Sequence, residues 1–127
     1  MSHHHVAVWL DHNEARILHV TPEMFDEATI ESPGAHVQLH RRSGTDDGHR
    51  AHEIPRYYDE VALALRDADE ILVLGPATAK LELIKRVHSH HSDLVSRIVG
   101  VETVDHPTDR QIATYARRYF EAADRMR

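Results

Sequence analysis

The chain has 127 residues, with 15 Lys and Arg against 21 Asp and Glu, a formal net charge of -6 and no cysteine. That length suits one domain with a real core and is short for two. The acidic balance excludes wholesale electrostatic capture of nucleic acid and leaves room only for a local basic patch, while the lack of thiols excludes a disulfide framework or a thiolate metal site. Lys80 and Lys85 are the only lysines, so the cations are mainly guanidiniums, suited to bidentate contacts with carboxylate or phosphate. The opening Met1-Ser2-His3-His4-His5 lacks the cationic and apolar regions of a secretory signal, and no apolar run approaches membrane-spanning length. The expectation is a soluble, cytoplasmic protein with no membrane partner.

In chain order, Val6 to Asp11 (VAVWLD) and Ala15 to Val20 (ARILHV) predict two strands around a tight Asp11-His12-Asn13-Glu14 connection, an antiparallel hairpin. Thr21 to Asp26 contains Pro22 and reads as a link. Ala28 to Glu31 and His36 to His40 predict a third strand interrupted near Pro33-Gly34. His40 to His52 (HRRSGTDDGHRAH) has neither period and reads as an exposed loop. From Pro55, a first-turn residue, Ile54, Tyr58, Val61 and Leu65 fall on one face of a helix ending near Asp67.

The centre of the chain is Ala68 to Val87 (ADEILVLGPATAKLELIKRV). Ile71 to Leu74 is an unbroken apolar run, as in a strand covered on both faces. Gly75-Pro76 ends it, and Ala77, Leu81, Ile84 and His88 recur at helical spacing. Arg97 to Val104 (RIVGVETV) predicts a further strand. In the last helix Thr108 and Gln111 have capping-box spacing, and Ile112, Tyr115 or Ala116, Tyr119 and Ala123 form a stripe. The order β-β-β-α-β-α-β-α predicts one α/β domain over residues 1–127: a mixed sheet with an N-terminal antiparallel meander, parallel crossovers and helices on both faces. An exposed sheet edge would let two copies pair as a symmetric homodimer, although no residue pattern demands it.

Three stretches carry a resemblance: Val8-Trp9-Leu10-Asp11-His12 with Glu14-Ala15, then Glu70 to Leu83 (EILVLGPATAKLEL), and Val99 to Asp109 (VGVETVDHPTD). On these the chain resembles the small bacterial translational machinery proteins, and at the level of fold the middle, ribonuclease-H-like domain of archaeal and eukaryotic peptide-chain release factors and of Pelota. The resemblance implies a cytoplasmic, cofactor-free, non-enzymatic module that contacts ribosome, tRNA or a translation factor. Release factors carry a Gly-Gly-Gln motif before their first long helix that promotes peptidyl-tRNA hydrolysis. This chain has Ser43-Gly44-Thr45-Asp46-Asp47-Gly48-His49 there and no Gly-Gly-Gln anywhere, so peptide release by that route is not expected.

Four sets of residues carry candidate chemistry. Arg41, Arg42, Arg50 and Arg56 form the best basic patch for RNA or a partner, with Tyr57 or Tyr58 available to stack on a base; the plain alternative is a solvated loop neutralised by Asp46, Asp47 and Glu53. His88, His90 and His91 lie close together, and His36, His40, His49 and His52 share a stretch, which invites a metal reading. Yet there is no HExxH, and histidines two apart on a helix face apart. Asp11 and Asp105 at strand ends, with Asp59 or Glu60, suggest a metal-dependent nuclease or phosphodiesterase as the enzymatic alternative; turn, helix-start and surface residues look the same in sequence. Gly75, Thr78 and Lys80 place a glycine turn at a helix N-terminus, where backbone amides can hold an anion, although the spacing is not that of a P-loop.

Overall fold

The computed structural model describes residues 4–33 and 47–126, with the side chains of 47–54 excepted. Its elements are β1 (His5–Leu10), β2 (Glu14–Val20), β3 (Phe25–Glu31), α1 (Asp47–Ala64), β4 (Glu70–Gly75), α2 (Ala79–His90), a 3-10 turn (Ser92–Arg97), β5 (Ile98–Thr103) and α3 (Asp109–Arg125). The five strands form one mixed sheet in the order β3-β2-β1-β4-β5. β1 pairs antiparallel with β2 and parallel with β4; β2 pairs antiparallel with β3, and β4 parallel with β5. The expected architecture is therefore present, with β1 as the strand that joins the meander to the parallel half.

Both faces of β1 and β4 are covered, which is why Ile71 to Leu74 carries no polar residue. On one face Val6, Val8, Leu10, Ile71 and Val73 pack under α1 and α2. On the other Ala7, Trp9, Leu72 and Leu74 pack under α3. The Thr108 side chain accepts the Gln111 N–H while Gln111 reaches back to the Thr108 N–H, so the capping box read from spacing starts α3.

Four readings need correction. α1 begins at Asp47, so residues 47 to 52 of the expected loop are helical, and Pro55 lies inside the helix, not in its first turn. A proline lacks the N–H for one ladder bond but can ride within a longer helix when packing on its C-terminal side is strong; here Tyr57, Tyr58, Val61, Ala62 and Leu65 are buried. The buried stripe of α2 is Ala79, Lys80, Leu83 and Val87, whereas Leu81 and His88 point outward. The first helical residue follows Thr78, and counting the period from Ala77 rotated the face. On α3 the expected Ile112 and Ala116 are buried and Tyr115, the alternative to Ala116, is exposed; Ala113 and Phe120 complete the buried face, while Tyr119 and Ala123 are only partly buried. β3 starts at Phe25, inside the expected link, because Thr21 and Met24 already close the turn. The His36 to His40 segment lies outside the described residues.

Candidate functional site

β1, β4 and β5 run parallel and end on one rim of the sheet, the rim where open α/β sheets place ligand sites. Asp11, Gly75 and the Asp105-His106 pair follow or end these strands. Asp11 Oδ1 accepts the N–H groups of Asn13 at 2.8 Å and Glu14 at 2.9 Å, so one carboxylate oxygen is committed to the β1–β2 turn. Its Oδ2 lies 3.6 Å from His106 Nε2, and Asp105 Oδ1 lies 2.9 Å from His106 Nδ1. The two acids nominated for metal chemistry thus flank one imidazole. Among the described residues they do not belong to a group of three donor atoms within 4.8 Å of one another. Of the acids offered from α1, Asp59 is held by Arg86 through Nε at 2.8 Å and Nη2 at 2.9 Å, and by His91 at 2.8 Å. The Arg86 hydrogen bonds hold its pKa down at about 2. That carboxylate therefore ties α1 to α2, and Glu60 is exposed.

The His106 pKa is raised, chiefly by its hydrogen bond to Asp105, with Asp11 adding to it. A raised histidine contributes stability below the ordinary value of about 6.5, and the contribution is lost as pH rises through the folded value. An NMR titration is expected to place the His106 midpoint above that ordinary value, and Asp105→Asn should bring it back down. A wild-type midpoint at or below the ordinary value would contradict the paired geometry.

Beneath this imidazole lies a constellation that sequence reasoning missed. Trp9 is fully buried, and its indole N–H donates to the Asp105 carbonyl at 2.8 Å. The Arg16 guanidinium stands 4.4 Å from the Trp9 ring centre and donates to Asp109 Oδ1 at 2.9 Å, and the His106 ring lies 5.1 Å from Trp9. The available signal was the hairpin register, which puts Trp9 opposite Arg16.

The remaining candidates are placed as follows. Gly75 is buried and its carbonyl accepts the Val104 N–H at 3.1 Å; Thr78 is exposed at the start of α2 without a side-chain cap; Lys80 is buried, with Nζ donating to the Ala77 carbonyl at 2.5 Å. The lysine thus serves its own turn. His90 Nδ1 bonds the Ser89 hydroxyl at 2.7 Å, His91 bonds Asp59, and His88 is exposed, so the three histidines point to different neighbours.

Arg41 and Arg42 lie outside the described residues, as does the side chain of Arg50, while Arg56 is exposed on α1. Beside it runs a groove between α1 and α2 lined by Pro55, Glu82, Lys85, Arg86, His88 and Ser89. Lys85, exposed on this groove with Glu82 and His88, is a cation that was not part of the sequence-based patch. The expected stacking by Tyr57 or Tyr58 does not hold: they are 1% and 3% exposed. Burial pushes both phenols up, Tyr58 to about 12, and the Tyr57 hydroxyl donates to the Asp11 carbonyl at 3.0 Å. No helix among the described residues is long and apolar enough to cross a membrane.

No protein-family model matches the chain, and no curated protein sequence does. Solved structures do match. The Pelota protein of Thermoplasma acidophilum aligns with a TM-score of 0.61 and 20% identity over 87% of this chain and 30% of its own. The archaeal translation termination factor aRF1 aligns with a TM-score of 0.57 and 11% identity over 94% of this chain and 39% of its own. Dom34 of S. cerevisiae, a translation termination-like factor, aligns with a TM-score of 0.53 and 12% identity over 94% of this chain and 37% of its own. The chain spans about a third of the length of these proteins, and over that third it has the fold found in Pelota, aRF1 and Dom34.

Proposed function

We propose that this chain is a translation-associated module that contacts a ribosomal particle, tRNA or a translation protein and does not catalyse peptide release. The observation that carries the reading is the alignment of nearly the whole chain with Pelota, aRF1 and Dom34. Fold alone does not fix function, so the contact surface has to come from this chain's own residues. Arg56, exposed on α1, and Lys85, exposed on the α1–α2 groove, are the cations that support it, and Arg41, Arg42 and Arg50 belong to the same stretch of sequence as Arg56. A phosphate-binding surface of this kind gives association that weakens as salt rises, because the counterions that binding displaces are released into a more concentrated solution. The rim around His106 supports a binding role better than a hydrolytic one, since Arg16 is paired with Asp109, Asp11 Oδ1 is committed to the turn, and Asp11 and Asp105 both face His106.

Sedimentation with ribosomes and separated subunits across a salt series is the test. Saturable binding is expected to fall with salt and to weaken about 10-fold or more in Arg41→Ala/Arg42→Ala/Arg56→Ala, since each lost phosphate contact lowers both affinity and salt slope. Absence of binding at low salt would remove the reading. Binding unchanged in the triple variant would remove the arginine surface from it.

A further inference from the structure

On the opposite rim, where β1 and β4 begin, the register pairs His5 with Glu70. Side chains alternate along a strand, so His5, Ala7 and Trp9 and likewise Glu70, Leu72 and Leu74 point toward α3. On α3, Phe120 and Asp124 are one turn apart and face the same place. The His5 ring stacks on Phe120 at 4.4 Å, which fixes its plane. His5 Nε2 then lies 3.1 Å from Glu70 Oε1 and 3.9 Å from Asp124 Oδ2. One donor atom from each of the three residues falls within 4.8 Å of the other two.

We propose that His5, Glu70 and Asp124 form a binding site for a divalent cation of the Zn2+ type. The donor set is one imidazole nitrogen and two carboxylate oxygens without sulfur, which suits Zn2+ or Mn2+. Zinc holds such donors at about 2.0–2.2 Å, so donors on a tetrahedral ion stand about 3.3 Å apart. The His5–Glu70 separation of 3.1 Å is already close to that, the His5–Asp124 separation is 3.9 Å, and Asp124, whose side chain is 46% exposed, is the donor with room to swing inward. Charge points the same way. A neutral imidazole with two carboxylates has a charge of minus two, and the C-terminal end of α3, where Asp124 sits, adds partial negative charge. Arg117 borders the same hollow, and its guanidinium donates to the carbonyls of Thr21 at 2.7 Å and Met24 at 3.1 Å. The ion would join the starts of two central strands to the end of the last helix.

Calorimetric titration of the EDTA-treated protein with Zn2+ tests this, alongside thermal unfolding with and without the ion. One ion per chain is expected, with a higher Tm on addition of Zn2+. Asp124→Asn and Glu70→Gln should each weaken binding at least 10-fold and abolish the Tm rise; Asp124 is exposed, so that variant folds whether or not Glu70→Gln does. Two controls, His3→Ala/His4→Ala and His88→Ala/His90→Ala, should leave both readouts unchanged. Binding that persists in Asp124→Asn, or that disappears with the control histidines, would assign the ion to exposed imidazoles and overturn the site. Absence of binding at submillimolar Zn2+ would leave these residues as an ion-paired group and overturn it equally.

Discussion

Trp9→Ala is expected to remove about 4 kcal/mol of stability, the range for truncating a large buried aromatic. Domains of this size have about 5–15 kcal/mol in all, so the variant should lose between about a quarter and most of its stability. Three losses combine. The indole is fully buried among Ala7, Leu18, Leu72, Leu74 and the apolar face of α3, so its removal leaves a cavity on that side of the sheet. Its N–H no longer holds the Asp105 carbonyl at 2.8 Å, which frees the segment between β5 and α3. Arg16 also loses the ring it stands over. Trp9→Phe separates these, since it keeps most of the volume and loses the hydrogen bond, at a cost of about 1–2 kcal/mol. Because Trp9 is the single tryptophan, urea unfolding should be followed by circular dichroism. An alanine variant within about 1 kcal/mol of wild type would show that the indole does not sit in a packed core.

Gly75→Ala should cost about 3 kcal/mol, at the upper end for overpacking. The glycine has an ordinary backbone conformation, since no residue among those described has a positive φ, so the demand is one of space. A methyl group at position 75 would overlap the Leu10 carbonyl oxygen in the neighbouring central strand. Backbone against backbone cannot be relieved by a rotamer change; β1 and β4 would have to separate where both faces are packed. Gly100 offers the comparison. There a methyl would meet the hydroxyl and ring of Tyr119, which is partly exposed and can swing aside, so Gly100→Ala should cost about 1 kcal/mol. Equal costs, or a larger cost at position 100, would contradict this account of the two contacts.

The parts of the fold that were legible in sequence are those where one local signal acts alone. Ile71 to Leu74 announced a doubly covered strand, Asp11 to Glu14 a hairpin turn, and Thr108 with Gln111 a capped helix, because each pattern is complete within a few residues. The misreadings came where signals compete. Pro55 was taken as a helix start, since proline usually is one, but the helix runs through it. The α2 face was rotated because Ala77, Leu81 and Ile84 keep a helical period as well as Ala79, Leu83 and Val87 do, and only packing chooses between them. Site chemistry was harder to read for a different reason. Asp11 and Asp105 were visible as strand-end carboxylates, but that they flank His106 depends on two strands being neighbours of β4. The His5, Glu70 and Asp124 group needs the parallel register and the α3 face together, and neither can be obtained from spacing along the chain.

The position of β1 in the sheet also sets the order in which the molecule can assemble. Its pairing with β2 spans a short turn, and such a hairpin closes in microseconds. Its pairing with β4 joins His5 to Glu70, some 65 positions apart by the difference of their numbers. That contact must wait for a long stretch of chain to be brought round, and non-local pairing of this kind places folding in the slower, millisecond range. The β1–β2 pairing is thus the local contact of β1 and the β1–β4 pairing its non-local one, and substitutions in the β1–β4 seam are expected to slow folding, as stopped-flow refolding would show.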